Sequence, residues 1–172
     1  MRPTDHLIAD HARLHALLQR ALASGFDPEP FAEFRAGLLR HIGIEEKVLL
    51  AAARRARGGE PIARAGALKI DHAALTSLLV PTPDRALALE IESLLRAHDA
   101  EEEGPRGVYA ECERLWSEDE ARELARRVAA FPSVPVARHF DGHGTVRTAA
   151  EALESARRIR VRAATARTED AQ

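Results

Sequence analysis

The sequence predicts an all-α protein, an up-down-up-down four-helix bundle with additional C-terminal helices. The chain is rich in Ala, Leu, Arg and Glu, which favour helices, and aromatic residues make up only 4% of it. Gly and Pro clusters divide its first hundred residues into four segments, in which apolar residues recur every three or four positions. Long helices joined by short loops pack as antiparallel neighbours.

Helix-end signals place the limits of the four segments. Thr4 is a candidate N-cap for the first helix, and Asp27 with Pro28 begins the second, because Pro is favoured at the first helical position. Gly104 and Pro105 end the fourth. The four helices are expected to cover approximately residues 5–23, 28–57, 61–79 and 84–103.

The rest of the chain predicts further helices. Residues 1–116 are expected to form the bundle, and residues 117–172 a helical extension that packs on the bundle or trails it. Ser117 and Glu120 form a capping box that begins one helix, and an Arg-rich helix follows from Thr148. A Pro-containing loop separates the two.

Composition and charge exclude several classes of partner. The 172 residues carry a formal net charge of −2, which gives no electrostatic reason to expect nucleic acid or a membrane surface as partner. No stretch approaches the roughly 18–20 apolar residues of a membrane span, and the N-terminus lacks the apolar run of a signal peptide. The one cysteine excludes an internal disulfide. We therefore expect a cytoplasmic protein; its oligomeric state is not indicated.

The most informative pattern occurs twice. An Asp-His pair on one helix is followed, on the next, by a His with a Glu four positions later. Residues four apart lie about 40° apart around a helix, so each His and Glu can point to the same place. The His and Glu residues of the pattern fall in phase with the apolar positions of their helices. The two copies are Asp10-His11 with His41 and Glu45, and Asp71-His72 with His98 and Glu102.

This pattern favours a metal site. A single His on an apolar face is more often a hydrogen-bonded core residue, and a single His-x-x-x-Glu is often a surface pair. Six inward-facing imidazoles and carboxylates, however, would be costly to bury without a cation. Such ligands suit Fe, Mn or Zn, and six of them suffice for two ions. Glu45 and Glu102 are the natural bridges, whereas Glu46 and Glu103 lie about 100° around the helix and are expected to support ligands or face solvent.

The order His, His-x-x-x-Glu, His, His-x-x-x-Glu over residues 5–103 resembles the hemerythrin-like (HHE cation-binding) family. The resemblance implies a centre of two non-haem iron ions, for which Mn or Zn can substitute. Thr76 stands where classical oxygen carriers of this family have a fifth His, and the fourth helix has Glu at spacing four instead of their Asp at spacing five. Carried over, the terminal ligands are His11, His41, His72 and His98, and the bridges are Glu45 and Glu102.

Four other residues are candidates for the site. His15 follows His11 by one turn and is either a further ligand or a residue on the flank of the helix. His139 and His143 fall in a Gly-containing loop, which argues against a helical ligand pair. Tyr109, the only tyrosine, either reaches the site as a hydrogen-bond donor or redox-active residue, or packs in the core or at the surface.

These features support three functions. The first is a non-haem di-iron protein that binds oxygen, nitric oxide or peroxide, for sensing, detoxification or iron handling. The second is a di-iron oxidase or oxygenase that acts on a small substrate. The third is a metal-stabilised regulatory module, in which the Arg-rich C-terminal segment contacts a partner.

Overall fold

The computed structural model describes residues 1–169, which are all-helical and contain no strand. Among these residues, no helix combines the length and the apolar character needed to cross a membrane. A π-helical turn, Glu45–Leu49, joins the second helix to the third. The helices are α1 (Pro3–Leu22), α2 (Pro28–Ile44), α3 (Leu50–Ala56), α4 (Ala65–Leu78), α5 (Arg85–Glu103), α6 (Val108–Glu113), α7 (Glu118–Ala129) and α8 (Ala149–Glu169).

Helices α2 and α3 continue one another through the π-helical turn. Its flanking residues keep right-handed helical backbone angles, and the Leu50 N–H donates to the Glu45 carbonyl five residues earlier. The single long helix expected from Pro28 is therefore present, with the Asp27 side chain accepting a hydrogen bond from the Glu29 N–H at 3.0 Å. A π turn inside a helix is rare and often marks a functional position. Here it begins at a predicted ligand.

Two of the predicted helix starts were wrong. Helix α1 begins at Pro3, because the Arg2 N–H is accepted by the Asp5 carboxylate at 2.6 Å. The Thr4 hydroxyl is not an N-cap but donates to Glu113 at 2.7 Å. Helix α4 begins four residues later than expected, because Ile62 is buried in the core and the chain around it forms a turn.

The interior consists of two apolar clusters. The Phe34 cluster includes Leu14, Leu38, Leu75 and Leu95, and the Leu49 cluster includes Leu7, Ile44, Leu68 and Val108. Helix α1 contacts α2, α5 and α7, while α4 contacts α5 and α8. Each of α1, α2, α4 and α5 supplies residues to the Phe34 cluster and continues toward the Leu49 cluster. On each of these helices, some polar residues lie between the Phe34 cluster and the Leu49 cluster. These polar residues therefore meet in one layer.

Candidate metal centre

The six predicted ligands lie together in the layer between the two apolar clusters. Along α1, for example, His11 lies between Leu7 of the Leu49 cluster and Leu14 of the Phe34 cluster. All six side chains are buried, and none has a residue exposure above 3%. The ligands come from all four helices: His11 from α1, His41 from α2, Glu45 from the start of the π turn, His72 from α4, and His98 and Glu102 from α5.

These six residues form two overlapping groups of four. Within each group, one ligand atom from every residue lies within 4.8 Å of the others. The group we call position 1 consists of His11, His41, Glu45 and Glu102. The group we call position 2 consists of Glu45, His72, His98 and Glu102. The two positions thus have separate histidine pairs and share both carboxylates.

Each shared carboxylate directs one oxygen to each position. Glu45 has Oε1 3.5 Å from His41 Nε2 and Oε2 3.1 Å from His72 Nε2. Glu102 has Oε2 3.3 Å from His11 Nε2 and Oε1 3.4 Å from His98 Nε2. This is the arrangement expected of two carboxylates that bridge a pair of cations.

A carboxylate lies near the outer nitrogen, Nδ1, of each of these four histidines. It is within hydrogen-bond distance at three of them, whereas His98 Nδ1 has no hydrogen-bond partner among the described residues. A carboxylate on Nδ1 fixes the proton there and leaves the Nε2 lone pair directed at the centre. The distances are 3.0 Å for Asp10–His41, 3.0 Å for Glu46–His72, 2.6 Å for Glu103–His11 and 3.5 Å for Asp71–His98.

The outer carboxylates follow the sequence repeat. The Asp of each Asp-His pair reaches the His of the following long helix, and the Glu after each bridging Glu reaches the His of the other half. Glu46 and Glu103 therefore contact the candidate ligands His72 and His11, and their side chains are also 38% and 37% exposed. The role of Asp10 and Asp71 was missed, although their repeated position directly before His was a visible signal.

The protonation of these residues depends on their burial and on their charged neighbours. Burial opposes protonation of His41, but Glu45 and Asp10 outweigh it and raise its pKa to about 9. Burial likewise opposes protonation of His72, whose pKa is raised to about 9 by Glu45 and Glu46. Burial and repulsion by Glu45 raise the pKa of Glu102 well above its usual range. The carboxylates thus favour positive charge on His41 and His72, whereas burial and repulsion by His41 lower the pKa of His11.

Several ligand atoms lack a hydrogen-bond partner among the described residues. They are His41 Nε2, His72 Nε2, Glu45 Oε2 and Glu102 Oε1, all buried. An unpaired buried polar atom costs about 1–3 kcal/mol, and these four are all directed at the centre. The donor set of four imidazoles and two carboxylates suits Fe, Mn or Zn, so the residues present fit a pair of such cations.

Tyr109 is a seventh polar residue at the centre. Its hydroxyl donates to Glu45 Oε1 at 2.6 Å and lies 3.2 Å from Glu102 Oε2 and 3.3 Å from His11 Nε2. The side chain is also part of the Leu49 cluster, so the hydroxyl contacts the site while the ring packs in the core. Its neighbour Cys112 is buried, and burial raises the pKa of the thiol to about 12.

The other candidate histidines lie outside both positions. His15 Nε2 is 2.6 Å from Asp99 Oδ2, and the two side chains line a surface pocket of about 280 Å³ between α1 and α5. His139 and His143 lie exposed in the loop between α7 and α8. None of the three belongs to either group of ligand atoms among the described residues.

Comparison with protein-family models, curated proteins and solved structures gives no match for this chain.

Proposed function

We propose that this chain is a hemerythrin-like protein, in which α1, α2, α4 and α5 form an up-down four-helix bundle around two iron ions. The observation that carries the proposal is the pair of shared carboxylates, each with one oxygen toward either histidine pair. A hydrogen-bonded core would need donors for these oxygens, yet among the described residues one oxygen of each carboxylate has an imidazole nearby but no hydrogen bond. Manganese or zinc fits the same donors and can replace iron.

We further propose that the centre binds a small diatomic molecule or peroxide. Iron, when bound here, supplies one-electron chemistry and open coordination positions for oxygen, nitric oxide or peroxide. The protein holds three of the four imidazoles in one orientation through hydrogen bonds to outer carboxylates, and the two apolar clusters exclude bulk water. A buried site of this kind admits a small molecule more readily than a bulky substrate, which favours binding, sensing or detoxification over the oxidation of a large substrate.

Metal analysis with an optical spectrum tests the proposal. Protein purified without chelators is expected to contain two irons per chain and to show charge-transfer bands. His41→Ala is expected to lose iron and thermal stability together, because metal binding free energy is linked to folding. His139→Ala, at an exposed loop position, is the matched control and should keep both.

Two results would contradict this function. Two irons per chain in both His41→Ala and Glu45→Ala would show that the metal binds elsewhere. Full helical stability with no transition metal in the purified protein, and none taken up from iron salts, would show that the centre is a hydrogen-bonded core. For protein that does contain two irons per chain, steady-state oxygen consumption with a reductant separates an oxidase from a binding protein.

A further inference from the structure

Position 1 has a buried tyrosine that has no counterpart in the repeat. Glu102 is followed seven residues later by Tyr109, whereas Glu45 is followed seven residues later by Ala52. The tyrosine is supplied by α6, a short helix that begins after the break at residues 104–107. The π turn and α3 occupy the corresponding place in the other half and offer no polar side chain there.

All polar contacts of the Tyr109 hydroxyl are with residues of position 1. It lies 3.3 Å from His11 Nε2, 2.6 Å from Glu45 Oε1 and 3.2 Å from Glu102 Oε2. Those carboxylate oxygens are the ones nearest the position 1 histidines, His41 and His11. No hydrogen bond joins the hydroxyl to His72 or His98 among the described residues. The phenol oxygen is therefore grouped with the ligand atoms of one position only.

The Tyr109 hydroxyl lies among the atoms that would hold a cation at position 1. Both carboxylates and an imidazole nitrogen are within 3.3 Å of it. A cation at position 1 would engage those same atoms and remove them as acceptors. A phenolate oxygen, by contrast, is itself an iron ligand in proteins.

We propose that Tyr109 binds the metal at position 1 through its phenolate oxygen and is the seventh protein ligand of the centre. This inference rests on the proposed metal centre. On metal binding the phenol O–H bond breaks, an oxygen–metal bond forms, and the proton is released to solvent, as metal binding commonly does. Position 1 then has five protein ligands and position 2 has four, so position 2 is where an added small molecule binds.

Resonance Raman spectroscopy of the ferric, iron-loaded protein tests the inference. Ligation predicts a phenolate-to-iron charge-transfer band in the visible range and enhanced tyrosine ring vibrations on excitation within it. Because the chain has one tyrosine, such vibrations can come from residue 109 alone. Tyr109→Phe keeps the ring in the core and is expected to bind two irons while losing both signals.

A control and the contrary outcomes separate this inference from the proposed function. Cys112→Ala, one turn further along α6, removes the other side chain capable of a charge-transfer band and should leave the spectrum unchanged. Two irons per chain in the parent protein without tyrosine vibrations would overturn Tyr109 ligation and leave the metal centre intact. A parent protein that takes up no iron would overturn both.

Discussion

The Asp10 carboxylate is expected to strengthen metal binding by holding the His41 ring, and Asp10→Asn tests this. Its Oδ2 lies 3.0 Å from His41 Nδ1, and its side chain is 16% exposed. The substitution keeps the shape and an acceptor oxygen but removes the charge, which about halves the strength of the hydrogen bond. Loss of such a partner lowers metal affinity by about 10- to 100-fold, and we expect about tenfold, or roughly 1.4 kcal/mol, because Asn still accepts.

Asp71→Asn is the matched control, because Asp71 has the equivalent position in the repeat. Its carboxylate is 3.5 Å from His98 Nδ1 and 28% exposed, so its loss should cost about 0.5 kcal/mol, or roughly twofold in affinity. Affinities would be measured by competition with a coloured iron chelator, and circular dichroism would verify that both variants stay helical. Equal losses in the two variants, or no loss in Asp10→Asn, would refute this account of the outer carboxylates.

Three further predictions follow from the same structure. His15→Ala should keep two irons and the parent spectrum, because His15 pairs with Asp99 outside both positions; a labile iron would make it a ligand after all. Gly107→Ala should lower thermal stability and iron content, because a Cβ there would lie 2.3 Å from the Glu102 carbonyl oxygen. Gly104→Ala, whose Cβ would lie 3.1 Å from the nearest atom, should lower thermal stability less. In metal-free protein, the buried histidines of α2 and α4 have pKa values raised to about 9, above the unfolded value near 6.5. Their protonation therefore stabilises the fold fully below about pH 6.5, and this stabilisation is lost as pH rises through 9. Thermal melting against pH should show that fall without metal and not with iron bound; a flat profile without metal would contradict it.

The grouping of the six buried His and Glu side chains could be predicted because helical periodicity fixes which face a residue occupies. His41 and Glu45 fall on the apolar stripe of their helix, as do His98 and Glu102, and a buried stripe must meet the stripes of its neighbours. Because the two halves of the sequence repeat, their equivalent residues were expected to lie at the same level along the bundle. Neither inference depended on the exact ends of the helices, two of which were predicted incorrectly.

Two kinds of feature could not be predicted from the sequence. One is the direction of a side chain beyond a break in a helix, and the other is a contact between side chains of different helices. Tyr109 follows a turn at residues 104–107, so no periodicity relates its direction to that of Glu102. Asp10 acts on His41, a residue of the next helix, and pairing between helices depends on packing distances. The π turn at Glu45 likewise has no signal in the apolar pattern, because Val48, Leu49 and Ala52 are all buried.

The charges around the centre also bear on its oxidation state under the proposed function. Two shared carboxylates and four outer ones surround histidines that are neutral when they bind metal. Against these six carboxylates, two divalent ions would leave two negative charges in excess and two trivalent ions would leave none. A seventh carboxylate, that of Asp99, is also buried and lies 3.6 Å from His11 Nε2. The outer four are 16–38% exposed, so solvent screens part of their charge, but the shared two are fully buried and act at full strength.

A phenolate at position 1 would add a further negative charge. Under the proposed function, this charge would stabilise oxidised ions more than reduced ones, and at position 1 more than at position 2. Such a centre would give up electrons readily, which would suit the reduction of peroxide or the capture of nitric oxide better than the repeated, unchanged release of oxygen.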